Sequence, residues 1–381
     1  MVLLIHFYIS DSRGGVRMKS YRKRMIGIAI VWAALTLGCV FLPAKESSES
    51  ERRKLAQFPT LSVDTILDGS FMAKFESYAL DQFPFRDSLR KLKAGTARYL
   101  FHQKDNNGYY MVGDYVAKLD FPLKEKSVSN ALKKMQYLYD AYLDSDKQNI
   151  YASVVPDKGY FLAEKNGYPS MDYEVLFELV RNGMPYAKYI DITKELSIED
   201  YYKTDTHWKQ ENLQDVADIL KSGMGIGNKK SSYELVQASD SFDGVYAGQS
   251  AYAVKPDRLS YLTNDVLKSC IVKNIENESD RGIYNLEKVN GKDPYDMFLS
   301  GATPLITVEN PNAATDKELI VFRDSFGSSI VPLLVEDYAK VTLVDIRYMK
   351  SSMVGDYVKF DKQDVLFLYS TLLLNDSYTL G

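Results

Sequence analysis

"KELIVFRDSFGSSIVPLLVEDYAKVTLVDIRY", residues 317–348, reads as strand, turn, helix and strand. Leu319 to Phe322 is an unbroken apolar run that enters the Asp324-Ser325 turn, and the spacing after Ser325 predicts a helix. Apolar strands joined through helices signal a mostly parallel sheet covered on both faces. The same alternation recurs on either side. "NIYASVVPDKGYF" (149–161) predicts a buried strand, "MDYEVLFELVRNG" (171–183) a helix and "AKYIDIT" (187–193) a strand. "KQENLQDVADILKSG" (209–223) then predicts a helix closed by glycine, and "DVLFLYSTLLLND" (364–376) a last buried strand.

Upstream, "SVSNALKKMQYLYDAYLDSDK" (127–147) places Leu132, Met135, Leu138 and Tyr142 on one helical face, and "NNGYYMVGDYVAKL" (106–119) suggests a hairpin. Residues 62–101 have helical spacing on both sides of a Phe-Pro break. Residues 225–315 are rich in Ser, Asn, Asp, Gly and Tyr and are expected to form an irregular cap insertion.

The 381 residues are 45% hydrophobic and 26% charged, with a formal net charge of -4, which is a globular composition without a basic field for nucleic acid. The histidines His6, His102 and His207 and the cysteines Cys39 and Cys270 show no metal-ligand spacing, and neither a metal nor a cofactor is expected. Met25 to Leu42 carries no charge and follows Lys19, Arg22, Lys23 and Arg24. That pattern predicts a membrane anchor at 25–42, with residues 1–24 cytoplasmic and everything after Pro43 outside. A cleaved signal is the alternative. Met18 is a candidate true start, residues 43–54 are expected to form a polar stalk, and the ordered extracytoplasmic domain is expected over 55–381.

Chemistry concentrates at two motifs. Ser325 stands at the carboxyl end of a predicted parallel strand, where open α/β sheets bind ligands, and the N–H groups of the following turn are candidate oxyanion donors. Serine also suits a helix N-cap, and both readings stay open. In "TDTHW" (204–208), Asp205 and His207 are two residues apart and share one side of an extended segment. A serine hydroxyl needs a base that an acid orients, which Asp205 and His207 supply; a local cap by Asp205 is the plainer alternative. Trp208 is a candidate to fix the ring or stack on a sugar, and Arg347 to bind a substrate anion or form an ion pair. Lys158 is read as a solvated turn residue or a cleft lining, Arg86 as a pair within the helical region, and the tyrosines of 246–261 as core or a sugar platform.

"TDTHW", "RDSFGSSIVPLL" (323–334) and "VTLVDIRY" (341–348), with "DQFPFRD" (81–87), "VVPDKGYF" (154–161) and "YDMFLSGATPLITVEN" (295–310), resemble the DHHW family, itself similar to the alginate O-acetyltransferases AlgX and AlgJ. The resemblance runs from Leu55 to the C-terminus. It implies an α/β fold, an SGNH-hydrolase-like three-layer sandwich with a mostly parallel sheet and permuted active-site blocks, the Asp-x-His pair preceding the serine. It further implies Ser325 as nucleophile, His207 as general base and Asp205 as orienting acid. "RDS" stands where many relatives of that fold have "GDS", and their Gly and Asn oxyanion blocks have no counterpart here. The implied activity is O-acetyl transfer to, or ester hydrolysis on, a cell-surface polysaccharide, with a membrane-bound O-acyltransferase supplying the acyl group. The alternative is a non-catalytic glycan-binding or scaffold protein.

Overall fold

The computed structural model describes residues 14–144, 146–227, 231–275 and 282–381, with side chains from residue 21 onward except 34–36 and 39–41. The chain divides into two compact units, 1–49 with 53–92 and 50–52 with 93–381.

In the smaller unit, Gly14–Phe41 forms one helix. The expected anchor at 25–42 lies partly outside the described side chains; among the described residues no helix is long and apolar enough to cross a membrane. Ser62 caps a short helix, Val63–Leu67, through a capping box with Thr65. Helix Ser70–Asp81 follows, and Phe58 packs edge-on against Phe71, Phe75 and Tyr78. The predicted Phe-Pro break lies between that helix and the next, Arg86–Gly95, and Arg86 pairs with Asp81 at 3.4 Å.

The larger unit is α/β with a mostly parallel central sheet. Seven strands among the described residues build it: β1 (Ile150–Val155), β2 (Lys188–Tyr189), β3 (Ile271–Asn274), β4 (Leu305–Glu309), β5 (Glu318–Arg323), β6 (Lys340–Val344) and β7 (Asp364–Ser370). Their order is β2-β1-β7-β5-β6-β4-β3. The first five are parallel, whereas β4 runs antiparallel to both β6 and β3. The region 225–315 is therefore only partly a separate insertion. It lends β3 and β4 to the sheet, while the bulged hairpin Glu234–Phe242 with Asp257–Thr263 lies outside the sheet but reaches its core through Leu262.

Residues of β5 alternate between two cores. Leu319 and Val321 join one, with Val216 and Leu220 of α3 (Gln214–Gly223) and with Leu333 and Leu334. Ile320 and Phe322 join the other, with Ala131, Met135 and Leu138 of α1 (Glu125–Tyr142) and Leu176 and Phe177 of α2 (Tyr173–Gly183). Both faces being covered explains why the strand is apolar throughout rather than alternating. After Ser325 the expected helix lasts only from Gly327 to Ile330 before tightening into a 3₁₀ run, Val331–Asp337; Pro332, lacking an N–H, sits at its start.

The chain leaves β5 toward β6 and then crosses back to place β7 on the other side of β5, so crossovers diverge at the carboxyl end of β5, where α/β sheets form clefts. The turn there is pinned by Asp324, whose Oδ1 accepts from Phe326 N–H at 3.0 Å and whose Oδ2 accepts from Ser370 N–H at 2.8 Å. Beneath it, Phe322 is fully buried and stacks on Phe367 with centroids 4.9 Å apart. Phe322→Ala should cost about 3–5 kcal/mol in urea unfolding, because the packed sheet cannot collapse around the lost ring; a cost below about 1 kcal/mol would contradict that packing.

Candidate active site

Tyr201 to Trp208 is an irregular loop closed at its base, with a bridge between Tyr201 and Trp208 and Tyr202 N–H donating to the His207 carbonyl at 3.1 Å. Asp257 fixes its crest, accepting Lys203 N–H at 3.0 Å, Thr204 N–H at 2.8 Å and the Thr204 hydroxyl at 2.6 Å. From below, the buried Lys158 donates to the carbonyls of Tyr202 at 3.0 Å and Lys203 at 3.2 Å and lies over the Tyr246 ring. Burial pushes its ammonium down to about 7, against the pull of Asp205, Asp257 and Asp157.

The loop delivers His207 to Ser325, with Nε2 2.8 Å from Oγ and Nδ1 2.7 Å from Asp205 Oδ1. Asp205 is fully buried. Its Oδ1 also accepts His207 N–H at 3.1 Å, and its Oδ2 accepts Val245 N–H at 2.8 Å and meets Arg52 Nη1 at 3.4 Å. Burial works against the carboxylate, but the His207 hydrogen bond, the charges of His207 and Arg52 and the Val245 N–H hold it well below the usual range. An ionised Asp205 places the ring proton on Nδ1 and leaves Nε2 as the acceptor facing the serine hydroxyl. Gly244, at the N-cap of helix Val245–Ser250, lets that helix start approach this closely, since a Cβ there would overlap the backbone of Thr204 and Asp205.

The imidazole is clamped as well as hydrogen-bonded. Tyr295 stacks on it with centroids 3.8 Å apart and planes 4° from parallel, and the Tyr295 hydroxyl donates to Ser329 Oγ at 2.7 Å. Trp208 Nε1 donates to the same Oγ at 2.9 Å and to the Phe326 carbonyl at 3.2 Å. The histidine loop is thereby tied to the turn that bears the nucleophile candidate.

Several expectations change. Trp208 is fully buried, so it has no face for a sugar and acts within the core. Arg347 forks onto Asp345, with Nε 2.9 Å from Oδ1 and Nη2 2.6 Å from Oδ2; its charge is already matched by a buried carboxylate. Tyr246 and Tyr252 are buried and form no sugar platform. The first-turn N–H groups after Ser325 are also committed, Phe326 to Asp324 Oδ1, Gly327 to Asp324 O and Ser328 to Ser325 O. Those three do not constitute an oxyanion hole. Arg323 is fully buried, its Nη1 3.4 Å from Asp345 Oδ2 and its Nη2 3.4 Å from the Gly301 carbonyl. No group of metal-ligating side chains occurs among the described residues.

Residues 186–344 match the family model described as DHHW protein. Over this stretch the chain is similar to the DHHW family. A DHHW family protein from Eubacterium siraeum has a similar structure, 18% identical, with 71% of this chain and 93% of that chain covered and a TM-score of 0.59. Bacillus cereus PatB1 is similar at 19% identity, 72% and 97% coverage and a TM-score of 0.55; a second PatB1 structure contains a sulfonyl adduct. The O-acetyltransferase domain of Pseudomonas putida AlgJ follows at 11% identity, 70% and 92% coverage and a TM-score of 0.45. At these identities the likeness is one of fold. No curated protein matches the sequence.

The site also holds carboxylates that sequence reasoning missed. Asp296 lies near His207, and burial reinforced by the Asp293 charge pushes its carboxyl up to about 6. The folded protein therefore holds this proton more tightly than the unfolded chain. Asp296 costs nothing below about pH 4, and its penalty grows until about pH 6 and is constant above. Asp296→Asn should thus stabilise the protein at neutral pH by at most about 3 kcal/mol, with the gain vanishing near pH 4 in urea unfolding; a gain independent of pH would refute the shift.

Proposed function

We propose that this protein, similar to the DHHW family over residues 186–344, is a serine-dependent O-acyltransferase or esterase of SGNH-hydrolase-like architecture, acting on acetyl groups of a cell-surface polysaccharide. One observation carries the reading: an unbroken relay from buried Asp205 through His207 to the half-buried Ser325, with heavy-atom separations of 2.7 and 2.8 Å. These lie within the range that general-base activation of a hydroxyl requires.

In the proposed reaction Ser325 Oγ attacks the acyl carbonyl while its proton passes to His207 Nε2. The imidazolium, stabilised by Asp205, returns that proton to the departing donor group, leaving an acyl ester on Ser325. A sugar hydroxyl then gives its proton to His207 and attacks the ester, and the released Ser325 oxygen recovers the proton. Water in place of the sugar gives hydrolysis. The resemblance of "TDTHW" and "RDSF" to the alginate O-acetyltransferases favours transfer. The basic-flanked apolar run at 25–42 supports attachment to the outer side of the cell membrane, where a membrane-bound O-acyltransferase would supply the acyl group.

A non-catalytic glycan-binding role is the second reading, favoured by the committed N–H groups after Ser325. Turnover separates the two. Ser325→Ala and His207→Ala should each lower release of acetate from a chromogenic acetyl ester by about 10³-fold or more, and Asp205→Asn by about 10²- to 10⁴-fold. Acetylated oligosaccharide appearing when an acceptor is added would mark transfer. Wild-type rates in both the Ser325 and His207 variants would eliminate the enzymatic reading.

A further inference from the structure

Asp205 Oδ2 draws one of its partners from an unexpected part of the chain. Arg52 belongs to the stretch read from sequence as polar stalk, yet residues 50–52 are part of the larger unit. Its side chain is 11% exposed. The guanidinium spans three acceptors: Nη1 lies 2.8 Å from Asp293 Oδ2 and 3.4 Å from Asp205 Oδ2, and Nη2 donates to the Asp243 carbonyl at 2.9 Å. It also lies 5.9 Å from the Phe242 ring centroid.

The backbone is committed to this placement. Arg52 has φ of 52°, a left-handed conformation that non-glycine residues rarely adopt. Gln249 Nε2 donates to the Glu51 carbonyl at 3.4 Å, and a Cβ at Gly248 would overlap the Ser50 carbonyl. Residues 50–52 therefore dock against helix Val245–Ser250, whose first N–H, from Val245, holds the same Oδ2.

Resting on the proposed relay, we infer that Arg52 is a positioning residue for it. Two carboxylates, Asp205 and Asp293, stand on either side of one arginine. Without a cation between them, their repulsion in a buried setting disfavours both being ionised. Arg52 neutralises Asp293 and fixes the plane of Asp205, so that Oδ1 remains aimed at His207 Nδ1. It touches neither His207 nor Ser325 in the hydrogen-bond pattern and acts only through Asp205.

The test measures the rate at which a fluorophosphonate labels Ser325 in the full-length protein, with folding checked by thermal unfolding. Arg52→Ala should label about 10- to 100-fold more slowly than wild type, Arg52→Lys should fall between them, and millimolar guanidinium should restore Arg52→Ala but not His207→Ala. A Gly248→Ala chain, which displaces Ser50 without touching the relay, should be slowed in the same direction. A folded Arg52→Ala labelling at the wild-type rate, or slowed without response to guanidinium, overturns the inference. Should Arg52→Ala fail to fold, Arg52→Lys decides: slower labelling supports the role, and an unchanged rate overturns it. Failure of wild-type Ser325 to label would strike the relay itself, whereas labelling unaffected by Arg52 leaves the relay standing.

Discussion

A fully buried carboxylate, Asp205, is the constraint around which the site is organised. An ion taken from water into a protein interior costs several kcal/mol unless charges and donors meet it. Asp205 is met from four directions: the imidazole, the His207 N–H, the Val245 N–H and Arg52. The donors come from three separate segments, and these explain the close approach at Gly244, the docking of residues 50–52 and the closed loop of 201–208. A single buried charge thus dictates much of the local architecture.

The sheet supplies the other half. β5 is the central strand of the seven-stranded sheet, and its two-sided burial fixes where the Asp324-Ser325 turn emerges. Asp324 then ties that turn to the end of β7, and Trp208 ties it to the histidine loop. Rigid elements on both sides explain how residues separated by 118 positions hold a 2.8 Å contact. In the proposed reaction this rigidity keeps the base aimed at the nucleophile before any substrate arrives. It also accounts for the difference from the expected oxyanion site: the same turn uses its N–H groups to stabilise itself.

Much of this was legible in the sequence because its signals are local. The apolar run at 319–322, the turn at Ser325 and the two-residue spacing of Asp205 and His207 need no knowledge of distant contacts. What escaped depends on partners. Trp208 beside a histidine suits a sugar as well as a core, and only its hydrogen bonds to Phe326 and Ser329 decide. Arg347 and Asp345 already stood two apart, a spacing that hinted at their ion pair. Lys158 follows Pro156 and Asp157, a pattern typical of solvated turns, yet its ammonium is buried by carbonyls from residues 202 and 203. Arg52 lies within a run whose polarity reads as stalk. β3 and β4 were hidden in a region whose Ser, Asn and Gly content obscures two short edge-side strands.

The most direct measurement uses the scarcity of histidine, since only His6, His102 and His207 contribute to a ¹⁵N-histidine NMR spectrum. The buried Asp205–His207 hydrogen bond predicts one ring locked as the Nδ1–H tautomer, with a strongly deshielded, slowly exchanging proton that disappears in Asp205→Asn. Three rings showing the averaged tautomers of solvated imidazole, or a deshielded proton indifferent to Asp205, would contradict the account.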